Sequence, residues 1–445
     1  MRPRPRKSSS RGATAGPARA GATVACAGVA RRWLAGALLL AAACGAPGRE
    51  GEEARLRAAM DELLPRIQAL SGLEARGPVR LALRDRAELR EYVAARIEEE
   101  FPPAEMEGVE GAYRALGLLP DTVDLRALLL DLLTEQVLGY YDPATETLYL
   151  VAGVPREALE PVLAHELVHA LQDQHVDLDS LVARERGNDR QTAAQAAIEG
   201  HATLVMMALV AERRAGQPVS PSMLPDLGQQ LRPALEAEND QFPVFRSAPR
   251  ILRETMLFPY LGGASFVQSL WRAAGAERMP PPLDTLLPQS TEQVLYPDER
   301  FVRMRDEPTE IRLGEPEGAT GAGWRTLYEN ALGELETSIL LSEHLGRGAE
   351  QAARGWDGDR YRLLEGPRGG RALVWYSVWD GADAAGRFAD AYRRVLERRA
   401  ERRHGRVERL EVEGRPVVRV VDAERGVPLE SVPVPPLVAL SQPDG

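Results

Sequence analysis

The amino-acid sequence predicts an α+β fold built from two structural units, and three observations lead there. Apolar residues recur at helical spacing, as in Leu56, Met60, Leu63, Leu64 and Ile67. Short β-prone runs stand between such stretches and flank Asp142-Pro143, a pairing that favours chain reversal. Beyond Gly323 strands and helices follow each other closely, the pattern of a second, smaller α+β layer. At 445 residues the chain is long enough to bury a sizeable core in more than one unit. Hydrophobic residues at 44% and charged residues at 27% match ordinary globular usage and argue against a disordered chain or a multi-span membrane protein.

In chain order, residues 1–43 read as an export signal. They carry eight Lys or Arg, no Asp or Glu, and an apolar run from Trp33 to Ala43 that is shorter than the roughly 20 residues a bilayer span needs. The run ends in Ala41-Ala42-Ala43-Cys44-Gly45, which resembles a bacterial lipoprotein signal, with Ala41 where Leu is usual. That resemblance implies that Cys44 becomes the lipidated first residue of an exported protein anchored in the membrane of the cell envelope. An ordinary secretory leader cut near Ala43 is the alternative. Removing the eight basic residues takes the formal charge from −11 to −19, which excludes nucleic acid as an expected partner. The two cysteines are Cys26, inside the leader, and Cys44, so the folded part has no pair for a disulfide.

Residues 44–120 form an N-terminal, mainly helical region: a short tether, a helix over 52–70 with Pro65 as a kink point, a strand over 79–83 and a helix over 86–100. The core, 121–310, starts with a helix over 124–136 and continues with a hairpin over 137–151. A helix over 159–174 follows, then a long apolar helix over 190–214 for which Asn188 or Asp189 is the expected cap. Residues 218–249, rich in Pro and acidic side chains, read as a covering insertion, and a helix over 257–272 carries an interruption at Gly262-Gly263. In the C-terminal α+β unit, 311–427, the pattern predicts a helix over 324–344, strands over 361–364 and 372–379, a helix over 382–399 and a hairpin turning at Glu413-Gly414. Residues 428–445 are a Pro-rich, extended tail. The run Thr-Glu-Gln-Val-Leu occurs at 134–138 and again at 291–295, but the flanks diverge and coincidence is the default.

The chemistry concentrates in one segment. His165 and His169 stand four residues apart in an apolar helical stretch, about 6 Å along the axis and about 40° around it, so both can reach one ion. Glu166 follows the first of them directly, in the spacing that lets a carboxylate take a proton from water at such an ion. A surface helix that holds these residues by chance would not be flanked by Val162, Leu163, Leu167, Val168 and Leu171. A tetrahedral zinc site needs a third protein ligand. Glu199 is the favoured one, because it sits in the apolar stretch Ile198-Glu199-Gly200-His201-Ala202, where a carboxylate is costly unless paired or metal-bound; Gly200 would let two helices approach closely. His175 is the rival, although Gln172 stands where the sharp turn that His175 needs would want Gly. His201 is a third option.

The run from His165 to His175, the preceding Gly139-Tyr140-Tyr141-Asp142-Pro143 and the later Ile198-Glu199-Gly200-His201-Ala202 resemble a family of bacterial metallopeptidases, often lipoproteins, in the gluzincin group. The likeness extends through Ser290-Thr291-Glu292-Gln293-Val294 and the stretch from Gly355 to Tyr361, and so covers most of the mature chain. It implies a gluzincin-like core with an active-site helix and a small sheet, zinc held by His165, His169 and Glu199, Glu166 as general base, and a peptide or protein as substrate. In such peptidases the substrate adds as a strand to the sheet edge beside the metal helix, for which residues 148–151 are the expected edge. One departure is Thr203, where better-known gluzincins place an acidic residue four positions after the Glu ligand; Asp173, Asp177 or backbone carbonyls are the expected substitutes for orienting the imidazoles. Tyr260, Tyr296 and His201 are candidate donors to a tetrahedral oxyanion.

The contrasting reading is a non-catalytic, metal-containing envelope lipoprotein that acts as a binding or structural module. Glu166 argues against it, since a closed structural site has no use for that carboxylate. A hydrolase of non-peptide amides is a third reading. Trp356, Trp375, Tyr376 and Trp379 in the C-terminal unit are read as core, with a binding surface as the lesser option.

Overall fold

The computed structural model describes residues 49–183, 186–225, 232, 242–275, 279–315 and 323–441. The export signal with Cys44, residues 226–231 and 233–241 of the insertion and the last four residues of the tail lie outside them. The chain is α+β. Helix α1 (Arg49–Ser71) buries Leu56, Met60, Leu63 and Ile67 and keeps Pro65 within it. After strand β1 (Arg80–Arg84), helix α2 (Arg86–Glu100) opens on a capping box in which Asp85 accepts from the Ala87 and Glu88 amides and Glu88 reaches back. Helix α3 (Pro103–Leu116) has no counterpart in the sequence reading; Pro103 in its first turn and Gly117 at φ 73 mark its ends. Helix α4 (Leu125–Gln136) is capped by Asp124.

Strands β2 (Gly139–Asp142) and β3 (Thr147–Val151) form the hairpin, with Glu146 in the turn at φ 50. The sheet order is β1-β3-β2, with β1 parallel and β2 antiparallel to β3. Residues 148–151 are therefore central rather than the free edge, because β1 from the N-terminal region occupies their open side. The N-terminal region and the core thus share one sheet. Tyr140 and Tyr149 sit opposite each other with rings 5.0 Å apart, and the Arg84 guanidinium lies 4.1 Å from the Tyr149 ring and 4.4 Å from that of Tyr92, which locks β1 and α2 onto the hairpin.

Helix α5 (Arg156–His175) and the short α6 (Leu178–Leu181) lead to α7 (Asn188–Ala215), which is buried along most of its length. By length and hydropathy α7 could cross a membrane, yet 83% of its apolar window is buried within the protein. Neither Asn188 nor Asp189 caps it: Gly187 stands at the N-cap, and Asp189 turns away to accept from Thr291. After α8 (Pro243–Ser247), helix α9 (Arg250–Ala274) runs without a break through Gly262-Gly263. These glycines serve packing instead. A Cβ on Gly263 would sit 1.9 Å from Ala196 O, and one on Gly200 2.0 Å from the Gly263 carbonyl carbon. Gly200 therefore brings α7 against α9, not against the histidine helix.

Helix α10 (Thr291–Leu295) is the second Thr-Glu-Gln-Val-Leu run; the first ends α4 and enters the hairpin, so the two have different folds. Strand β4 (Glu310–Leu313) precedes the C-terminal layer. There the expected helix over 324–344 divides into strand β5 (Arg325–Asn330) and helix α11 (Gly333–Leu345). Gly333 sets the break: its φ is 72, and a Cβ would meet Asp189 Oδ1 at 1.7 Å. Strands β6 (Trp356–Glu365) and β7 (Arg371–Trp379), helix α12 (Ala382–Arg398) and strands β8 (Arg403–Val412) and β9 (Arg415–Glu424) complete an antiparallel sheet ordered β5-β6-β7-β9-β8. Trp356, Trp375, Tyr376 and Trp379 are all buried, and Trp375 and Trp379 pack on Phe388 of α12, so these aromatics are core. The tail ends in strand β10 (Leu437–Ser441), paired antiparallel with β4 over the opposite face of this sheet. One apolar core runs from α1 to β9.

Candidate metal centre

Helix α5 carries His165 and His169 on the face that meets α7, with ring centroids 4.7 Å apart. Helix α7 brings Glu199 to them: its Oε2 lies 3.1 Å from His165 Nε2 and 3.4 Å from His169 Nε2. All three side chains are buried, and their ligating atoms lie within 4.8 Å of one another. The group could hold a metal ion.

A chain of hydrogen bonds fixes which nitrogen of His169 faces this centre. Gln172 Nε2 donates to Ile198 O at 3.1 Å, a group that can only accept, so the Gln172 oxygen must be the atom 2.9 Å from His169 Nδ1. His169 therefore carries its proton on Nδ1 and turns the Nε2 lone pair toward Glu199. The same Gln172 amide donates to His201 Nδ1 at 3.1 Å, and His201 Nε2 donates to Ser71 O at 3.0 Å. Two electron-rich atoms, His169 Nε2 and Glu199 Oε2, then face each other in a buried site, and something positive must lie between them.

The acid–base balance agrees. Burial alone would raise Glu199, but the neighbouring imidazoles outweigh it and hold the acid at about 2. Burial would lower His169, yet the Glu199 charge and its hydrogen bonds lift it to about 9, so without an ion a proton fills the place. His165 is lowered, by burial first. Burial pushes Glu166 up to about 8, against the His169 charge and the Tyr141 backbone N–H, which both pull it down. A cation at the centre would lower it further. Among the described residues, Glu166 Oε1 and His165 Nδ1 are buried without a hydrogen-bond partner. Two imidazole nitrogens, one carboxylate oxygen and a second carboxylate beside them with one oxygen unpaired fit a metal ion with an open coordination position.

The structure separates the other sequence candidates. His175 donates from Nε2 to Glu74 O, and His201 belongs to the Gln172 chain, so neither is a ligand. Tyr296 donates to Glu334, away from the imidazoles, whereas the Tyr260 ring lies 6.0 Å from that of His165. Asp173 accepts from Tyr141 Oη and Asp177 caps α6, so neither orients an imidazole. Gln172 does that work, and the sequence reading treated it only as the residue in place of a glycine. Its signal was a long amide three residues after His169 in an apolar helix. Beside the centre a small cleft of ≈ 50 Å³ is walled by Tyr141 and Asp142 of β2, Leu178 of α6, and Gln195 and Ile198 of α7. Larger clefts exist, such as one of ≈ 720 Å³ between α2, α3 and α4, but among the described residues only the His165 site gathers metal-ligating side chains.

Comparison with known proteins adds little to this geometry. A family model described as a domain of unknown function (DUF8575) matches residues 325–431, the C-terminal sheet with α11 and α12. No curated protein matches. A solved structure from Chloroflexus aurantiacus, described as "a putative hydrolase with a novel fold", is 23% identical and covers 58% of this chain and 92% of its own, with a TM-score of 0.35. A likeness at that score carries no argument about fold or activity. What the site can do rests on its own residues.

Proposed function

We propose that this protein is a zinc-dependent peptidase of the gluzincin type, exported and anchored in the cell envelope through a lipidated Cys44. The observation that carries the reading is the convergence of His165 Nε2, His169 Nε2 and Glu199 Oε2 on one buried point, with an unpaired oxygen of Glu166 one residue from the first ligand. Two imidazoles and one carboxylate are a donor set of catalytic zinc, which keeps a position open for water or substrate. When bound, the ion supplies the positive charge that acidifies water and polarises a carbonyl.

The remaining work falls to the chain. Glu166 accepts the proton of the attacking water at Oε1 and passes it to the departing amine. The Tyr141 N–H holds this carboxylate in place. That contact also means that β2 turns its unpaired edge toward the centre, so β2, rather than β3, is the strand to which an extended peptide adds. Tyr260 is the side chain best placed to meet a developing oxyanion. Buried walls around the imidazoles keep bulk water away from these groups.

Purified protein should hold about one zinc per chain by elemental analysis, and it should cleave casein. Glu166→Gln should keep the metal and lose cleavage by about 10²–10⁴-fold, the range for a removed general base. Equal cleavage by the two proteins would refute the role of Glu166, and a wild-type protein that takes up no transition metal would refute the site.

A further inference from the structure

We propose that Gln195 is a positioning residue for the substrate, its Oε1 accepting a main-chain N–H of the peptide that enters the cleft beside Glu199. The inference rests on the peptidase reading.

Gln191, Gln195 and Glu199 fall on one face of α7, since residues four apart on a helix lie nearly above one another. Glu199 faces the imidazoles, and Gln191 Nε2 donates to Val182 O at 2.8 Å, while its Oε1, like that of Gln195, has no donor among the described residues. Of the two glutamines, Gln195 is the one that stands at the cleft. It is 2% exposed and lines the cleft, yet among the described residues its Oε1 is buried with no donor. A buried acceptor without a donor is unfavourable, and native structures retain such groups where a ligand or water completes them.

Most donors that the cleft walls themselves offer are already engaged, and none of them bonds Gln195 Oε1. Tyr141 Oη donates to Asp173 at 2.9 Å, and the Tyr92 hydroxyl bonds Asp142. The terminal nitrogens of Arg96 are held by Glu99 at 2.7 Å and Glu100 at 3.2 Å, and its Nε is buried without a partner among the described residues. Apolar Leu178, Val182 and Ile198 make up much of the rest of the wall. Since no wall donor meets Gln195 Oε1, whatever occupies the cleft is the source of the donor proposed here. A peptide brings one N–H with every residue but proline, and β2, the edge on which it is proposed to lie, supplies Tyr141 and Asp142 to the same cleft. A neutral amide oxygen selects no charge. Gln195 thus reads the backbone and its register relative to Glu199 rather than the identity of a side chain.

The test uses metal-loaded full-length protein and a peptide chosen as the best-cleaved product of a casein digest. Gln195→Leu removes the acceptor at similar size, and Gln195→Ser removes it by shortening, in case the first variant folds poorly. Loss of one neutral hydrogen bond should raise KM by about 3- to 10-fold with kcat nearly unchanged. Metal content should stay at the wild-type level. The decisive arm is a series of the same peptide N-methylated at successive positions. One position should weaken binding to the wild type and have no further effect on Gln195→Leu, both in KM and in direct binding of the fluorescent peptide to the Glu166→Gln protein. Unchanged KM in both variants, or N-methyl effects of the same size with and without Gln195, would overturn this assignment and leave the peptidase reading standing. A metal-loaded wild type that cleaves no casein peptide overturns both.

Discussion

The sharpest consequence of the site geometry concerns Gln172, which touches no substrate and no ligand position but decides the tautomer of one ligand. Replacing it by methionine keeps the side-chain volume while leaving two buried groups without a partner, His169 Nδ1 and His201 Nδ1; Ile198 O loses a second bond but keeps the one within its helix. Each such group costs about 1–3 kcal/mol, so the fold as a whole should lose several kcal/mol with or without metal. The metal should lose separately, because His169 is then free to move its proton to Nε2 or to rotate. Removing the partner of a ligating imidazole lowers affinity by about 10–100-fold, equivalent to about 1.4–2.7 kcal/mol. Competition against a chromophoric zinc chelator measures this term, and Tm with and without chelator measures the first. Gln172→Glu is the control: it keeps an acceptor for His169 Nδ1 but loses both donors, so it should bind zinc within a few-fold of wild type while still losing stability. Wild-type zinc affinity in Gln172→Met would refute the argument that this amide fixes His169.

Two further outcomes follow from residues away from the centre. Asp189 is fully buried; burial, with Asp359 and Glu336 nearby, outweighs its hydrogen bonds from Thr291 and raises it to about 7. The folded chain then holds a proton that the unfolded chain releases above about pH 4, so this group makes stability fall as pH rises between those values. Asp189→Asn should raise the urea midpoint at pH 8 relative to wild type, with the gap closing on acidification; parallel curves from pH 4 to 8 would exclude it. Cys44→Ser should move the protein from the membrane fraction to the soluble exported fraction, and retention in the membrane would argue against the lipid anchor.

How much of this was legible in the sequence depends on the range of the interaction involved. Elements marked by local signals were read well: the helices over 86–100 and 124–136, the turn at Glu413-Gly414 and the paired histidines on α5 are all set within a few residues. The misreadings share a cause. Gly262-Gly263 looks like a helix break until α7 is known to lie against it, and Asp189 looks like a cap until Thr291 arrives from a hundred residues away. Residues 148–151 look like an edge until β1 pairs alongside them. Each required a partner distant in sequence. Helix α3 was missed for a different reason: its Pro-rich entry and its glycines at 108 and 111 weaken the local helical pattern, and the glycines have tertiary reasons, with Tyr328 and Leu363 close against them.

The same distinction explains why the candidate ligands could be named from the sequence while the residues that serve them could not. A candidate ligand or base announces itself by type, since few reasons exist to place His165, Glu166, His169 and Glu199 in apolar helices. Gln172 and Gln195 are the same residue type on neighbouring helices, each within four positions of a ligand, and no local feature tells them apart. Their difference is only in what surrounds them. Gln172 finds partners for both ends of its amide, which makes it part of the rigid frame that orients His169. Gln195 Oε1 finds none, and in a packed interior an unmet acceptor is a requirement placed on whatever binds next. What separates these two amides is whether their partners are present and, for Gln195, its place at the cleft beside Glu199. Both are defined only once every neighbouring element is in place.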